Sequence, residues 1–91
     1  MTVLPRNCGP GGTIFLFIGR GFAPGENVGA YVTAPDQSVF GAPFQLQADG
    51  SGIAGTVQFS TLPGFPVGVW AMTFEGVTSH NRAIGYFKLT P

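Results

Sequence analysis

Side chains able to do chemistry are few in this chain and widely separated. Its carboxylates are Glu26, Asp36, Asp49 and Glu75. Glycoside hydrolysis needs two carboxyl groups facing each other across a cleft, and a calcium loop needs three or more oxygen ligands within a short segment. No spacing pairs any two of these acids, and each falls in a turn or on the outer face of a strand. Asp49-Gly50-Ser51 offers too few ligands for calcium and reads as a turn. His80 is the lone histidine and follows Ser79, so Asp36 or Asp49 would complete a Ser-His-Asp set by composition. A triad also needs its serine on a strained elbow and its acid oriented toward the imidazole, and neither context is present. Gly19-x-Gly21 lacks the third glycine and the helix start of a dinucleotide loop, and Pro24-Gly25 makes a turn there instead. Cys8 is the single cysteine, with no second thiol or histidine cluster to build a disulfide or a zinc site. It reads as a small packed or partly exposed residue. No catalytic residue, cofactor or metal is expected, and the chain is not expected to be an enzyme.

The elements that carry these residues must come from one small core. Ninety-one residues suffice for one domain, since single cores usually occupy about 100 to 150 residues; it is taken as residues 1–91. Hydrophobic residues make up 44% and charged residues 9%, against about 25% charged in an ordinary soluble protein, so the surface is largely uncharged. Formal net charge is zero, which gives no electrostatic footprint for nucleic acid or an anionic membrane. It also removes the self-repulsion that keeps small domains apart. No stretch approaches the roughly 20 apolar residues of a membrane span, so no membrane insertion is expected. Met1 to Gly12 lacks a basic region followed by an apolar run. That leaves a cytoplasmic protein, or a fragment of a longer parent that carries the export signal.

Fifteen glycines and eight prolines punctuate short apolar runs, the pattern of many short strands joined by tight turns. Thr13 to Ile18 is apolar throughout and ends in Gly19-Arg20-Gly21-Phe22, followed by the turn Ala23-Pro24-Gly25-Glu26. Asn27 to Ala34 alternates Val28, Ala30 and Val32 against Gly29, Tyr31 and Thr33, the two-residue period of a strand with distinct faces. Ser38 to Ala48 is interrupted by Gly41 and Pro43 and reads as a short edge strand or two fragments. Asp49 to Gly52 reads as a hairpin turn, and Ile53 to Ser60 as the next strand, with Val57 and Phe59 on one face. Val69 to Glu75 alternates Trp70, Met72 and Phe74 against Ala71, Thr73 and Glu75. After the polar turn at residues 78–81, Arg82 to Thr90 closes the domain with Phe87 and Leu89 inward. A first strand near Thr2 to Arg6 brings the count to about seven, as in an immunoglobulin-like sandwich. The expected fold is therefore an all-β, two-sheet antiparallel sandwich. Its expected core is Phe15, Phe17, Val28, Val32, Val57, Phe59, Trp70, Met72, Phe74, Phe87 and Leu89.

Three segments together resemble the bacterial immunoglobulin-like repeats of secreted and cell-surface proteins, from about Gly9 to the end. One is the strand leading into Gly19-x-Gly21-Phe22-Ala23-Pro24-Gly25-Glu26-x-Val28. Another is the Ala48-Asp49-Gly50-Ser51-Gly52 turn before a strand. The last is Pro66-x-Gly68-x-Trp70 through Gly76-x-Thr78-Ser79, similar to that family's Pro-x-Gly-x-Tyr strand and Gly-x-x-Ser turn. The resemblance implies an extracellular or cell-surface module, a spacer, stalk or adhesive unit cut from a larger protein. Such a fold hosts many roles. Trp70 stands where the family has Tyr, and the first core strand is apolar on both faces.

That second departure carries the functional reading. If Phe15 and Phe17 point inward, period two sends Ile14, Leu16 and Ile18 to the opposite face. Ile84 and Tyr86 form a second outward strip on the other sheet. Contiguous apolar patches on a soluble domain mark contact sites, so Ile14, Leu16, Ile18, Ile84 and Tyr86 form the candidate interface. The partner is a neighbouring domain of the same chain or a second copy, giving a homo-oligomer. Coverage of the first strip by a poorly ordered strand or by the N-terminal segment is the other account of it. A glycan is the rival partner, held on a flat face by exposed aromatics such as Tyr31, Tyr86 or Phe65. Sugar platforms pair such rings with several polar side chains, and here the polar complement looks thin.

Overall fold

Alternation of apolar and polar residues with period two does most of the folding. The strands at Ile14–Gly19, Asn27–Thr33 and Arg82–Thr90 bury every second residue, and Gly, Pro and Asp set the turns. A computed structural model describes the backbone of residues 1–91 and the side chains outside residues 40–44. The chain forms β1 (Thr2–Leu4), β2 (Cys8–Pro10), β3 (Ile14–Gly19), β4 (Asn27–Thr33), β5 (Val39–Gln47), β6 (Ala54–Ser60), β7 (Gly68–Gly76) and β8 (Arg82–Thr90). Sheet order is β1-β3-β6 in a three-stranded layer and β2-β8-β7-β4-β5 in a five-stranded one. The all-β sandwich expected from the sequence is the fold observed.

The two layers meet through aromatic rings. Phe15 and Phe17 from β3 face Phe87 of β8 with ring centroids 4.8 and 5.4 Å apart. Trp70 of β7 stacks on Phe87 at 6.1 Å and on Phe65 at 5.5 Å. Its indole nitrogen, otherwise a buried donor, gives a hydrogen bond to the Pro66 carbonyl at 2.9 Å. Val28, Val32, Met72, Phe74 and Leu89 fill the five-stranded side and are buried, as is Val57 on β6, whereas Phe59 at the end of that strand is half-buried. Full burial of each large side chain contributes about 1.5–3 kcal/mol.

Four features depart from the sequence reading. The single first strand near Thr2 to Arg6 is instead two, so eight strands replace about seven. Pro5, which lacks an N–H, interrupts the ladder; β1 pairs with β3, while β2 crosses to the other layer and pairs with β8. That β2–β8 pair is parallel, so the sandwich is not wholly antiparallel. Residues 38–48 hold one continuous strand, β5, at the edge of the larger sheet, and its register with β4 shifts opposite Tyr31. Asp49 to Gly52 is no hairpin: β5 and β6 lie in different sheets, so this turn carries the chain across the sandwich. Asp49 still performs the turn chemistry, its carboxylate accepting from the Ser51 and Ile53 amides at 2.8 and 3.0 Å.

Candidate functional site

At one pole of the sandwich the motif segments converge on Glu26. Its side chain was expected as an isolated acid in a turn, but only 7% of the residue is exposed. One carboxylate oxygen accepts from the Thr78 and Ser79 amides at 3.1 and 2.9 Å. The other accepts from the Ala23 amide at 2.6 Å and the Ser79 hydroxyl at 2.7 Å. These bonds, those from Ser79 foremost, hold its pKa down at about 2. Gly76 makes the space: a Cβ there would sit 2.6 Å from both carboxylate oxygens. The crossover turn joins the same cluster through Gly25 N to Asp49 O and Phe22 N to Gly52 O. Asn81 closes it by donating to the Gly21 carbonyl at 2.9 Å. Glu26 is therefore a structural clamp between the β3–β4 and β7–β8 loops, with every acceptor site occupied by the protein itself.

The five expected interface residues separate onto two faces. Ile14, 49% exposed, lies with the half-buried Leu16 and Ile18 on the outside of the three-stranded sheet. Strand β1 runs beside β3 rather than over it and adds Leu4 to the strip, opposite Leu16. Ile84 and Tyr86, 44% and 60% exposed, lie on the outside of the five-stranded sheet together with Val69. Cys8 is exposed and free on β2. Of the aromatics considered for sugar binding, Tyr31 and Tyr86 share this outer face, while Phe65 belongs to the far pole against Trp70.

One depression on that face gathers polar groups the sequence leaves scattered. Strand register sets Gln45, Gly29, Glu75 and Arg82 in a row across β5, β4, β7 and β8. Gly29 contributes no side chain and a Cβ there would meet nothing within 4 Å, so the row has a notch at its centre. Half-buried Tyr31 stands two residues along the same strand, and Val77 and His80 come in from the β7–β8 loop. The hollow they line measures about 380 Å³. Arg82 Nε donates to Glu75 Oε2 at 3.1 Å, an exposed pair of small energetic value. His80 adopts a left-handed backbone, φ 60°, its amide donating to the Gly76 carbonyl at 3.1 Å. Only the outward phase of Tyr31 and Glu75 was visible in sequence; the pairing that brings Gln45 and His80 beside them was not. Among the described residues no group of His, Cys, Asp or Glu is arranged to hold a metal ion.

Comparison with curated proteins gave no match, nor did comparison with solved structures. Comparison with protein families gave one, the macroglobulin-like domain, over residues 2–89. The match takes in nearly the whole chain and agrees with its immunoglobulin-like sandwich, so this chain belongs to the macroglobulin-like domain family.

Proposed function

We propose that this domain is a non-catalytic spacer module of a bacterial secreted or cell-surface protein, strung end to end with its neighbours. The observation that carries the reading is where the chain enters and leaves. Thr2 pairs with Ile18 and Met1 packs beside Gly85, midway along β8, whereas Thr90 pairs with Pro10 at the pole away from Glu26. The two ends are thus displaced from each other along a body with principal extents of 39, 24 and 15 Å. Neighbours attached there extend the string rather than fold back on it. Macroglobulin-like domains typically occur in extracellular proteins, which supports the setting, and the motif resemblance supports the bacterial one.

Lateral association is the second part of the proposal. The Ile84 and Tyr86 strip, and the Ile14, Leu16 and Ile18 strip on the other layer, are the surfaces by which such a module meets a second copy or an adjoining domain. Two copies joined tail to head separate these ideas by small-angle scattering and sedimentation. A largest dimension near twice the 39 Å of one body fits the spacer reading; a compact side-by-side pair overturns it. Concentration-dependent dimers of the single domain that Tyr86→Lys or Leu16→Lys abolishes support the lateral contact. A strict monomer for the unsubstituted domain removes it.

A further inference from the structure

We propose that the notch at Gly29 is a monosaccharide subsite, occupied by one neutral pyranose ring. This inference is independent of how the domain is strung to its neighbours. A volume of about 380 Å³ falls at the small end of the roughly 300–1,000 Å³ usual for small-molecule sites, which limits the occupant to one or two rings. The lining is apolar at Tyr31 and Val77 and polar at Gln45, Glu75 and His80. A pyranose has that division: an apolar C–H face for the tyrosine ring and equatorial hydroxyls that both give and accept hydrogen bonds. The Gln45 amide offers donors and an acceptor, the Glu75 carboxylate accepts, and the His80 imidazole does either according to its tautomer.

Charge balance favours a neutral ligand over the charged classes of that size. Arg82 already neutralises Glu75 at 3.1 Å, and the Arg82 guanidinium is held above its ordinary range by the hydrogen bond and charge of Glu75, then by Tyr31. An anionic ligand would find no cationic side chain in the lining besides His80, and a cationic one no acid besides Glu75, which Arg82 already pairs. Gly29 supplies the fit. In a strand that otherwise favours side chains, its empty Cβ position lets a ring lie against the backbone beside Tyr31. The polar complement that looks thin in sequence is thus assembled by pairing four strands. Tyr86 and Phe65, the other candidate platforms, lie outside the hollow.

The test is ¹H–¹⁵N NMR titration of the 91-residue chain with methyl glucoside, galactoside, mannoside and N-acetylglucosaminide, followed by the same sugars as immobilised glycans. At least one free glycoside is expected to shift the Gly29, Tyr31, Gln45 and Glu75 amides, with Kd about 1–10 mM for so shallow a site. Tyr31→Ala should weaken it about tenfold or more. Gly29→Val fills the notch where nothing is displaced, so it should abolish the shifts while leaving the folded spectrum intact. Tyr86→Ala, on the same face but outside the hollow, should leave Kd unchanged. Binding only to immobilised, multivalent glycans, with no shift from any free glycoside at about 20 mM, overturns the subsite. So does binding that survives Gly29→Val, or that follows Tyr86 instead.

Discussion

Phe87 and Tyr86 are neighbours on β8 that period two sends to opposite faces, so replacing each by alanine should have very different consequences. Phe87 is 1% exposed and its ring is the hub between the layers, 4.8 Å from Phe15, 5.4 Å from Phe17, 5.9 Å from Phe59 and 6.1 Å from Trp70. Losing the buried ring forfeits about 2–3 kcal/mol of transfer free energy. If half of a ring volume of about 100 Å³ stays empty, the cavity adds about 1 kcal/mol at roughly 24 cal/mol per Å³. The sum, about 4 kcal/mol, is a large part of the roughly 5–14 kcal/mol expected at 0.05–0.15 kcal/mol per residue. In a domain of this size it should lower Tm by about 15–30 °C. Tyr86, 60% exposed on the outer face, should cost no more than about 0.5 kcal/mol.

Circular dichroism melts of the two variants at several protein concentrations read this difference. Concentration matters because a dimer held through Tyr86 would also raise Tm, but only by mass action. In the dilute limit the Tyr86→Ala curve should overlay the unsubstituted protein. Equal losses for the two variants in that limit would mean that β8 is turned over, and the inner and outer faces assigned to both sheets would fall with it.

Glu26 should give the domain a pH signature. Its folded pKa, about 2, lies below the ordinary carboxylate value of about 4.3. The stability it contributes is therefore fully present above that ordinary value and is lost as pH falls through about 2. Glu26→Gln should lower Tm at neutral pH, with the gap to the unsubstituted protein narrowing between about pH 4.5 and 2. Asp36, also held low by Ser38 across an exposed turn, makes Asp36→Asn the control for acid effects outside the clamp. A gap that stays constant down to pH 2 would remove Glu26 from the account. Cys8, exposed on β2, should react with a thiol reagent in the native state as completely as in denaturant; a protected thiol would contradict the placement of β2.

Legibility in the sequence followed the range of the physics involved. The boundaries of β8 are readable because alternation is strict from Arg82 to Thr90 and polar turn residues precede it. The crossover at Asp49 misleads because an Asx turn satisfies its own amides whether the next strand pairs with the last or joins another sheet. The division of the N-terminal strand has one sign in the sequence, Pro5, whose missing N–H is incompatible with continuous pairing. Glu26 was out of reach altogether: its partners at Thr78 and Ser79 lie 52 and 53 residues away. Only the fold tells a clamped carboxylate from a solvated one.

The same distinction separates the pole from the sheet face. At the Glu26 pole the motif loops engage one another: the Glu26 carboxylate is held by Thr78 and Ser79, the Gly21 carbonyl by Asn81, the Asp49 carbonyl by Gly25. Polar groups so engaged are unavailable to a ligand, and the shared turn motifs are accounted for by loop docking alone. Around Gly29 the position is reversed. There the backbone is fixed by pairing on both sides, β5 on one and β7 on the other, while the side chains of Gln45, Glu75 and His80 project toward open space. The paired floor needs no rearrangement to receive a small ring, while ordering Gln45, Glu75 and His80 costs about 0.5–1.5 kcal/mol per side chain, in keeping with millimolar affinity. The subsite proposed on the five-stranded face therefore depends on Tyr31, Gln45 and Glu75, side chains that the motifs do not specify, although Gly76 and Val77 of the Gly-x-x-Ser turn also line it.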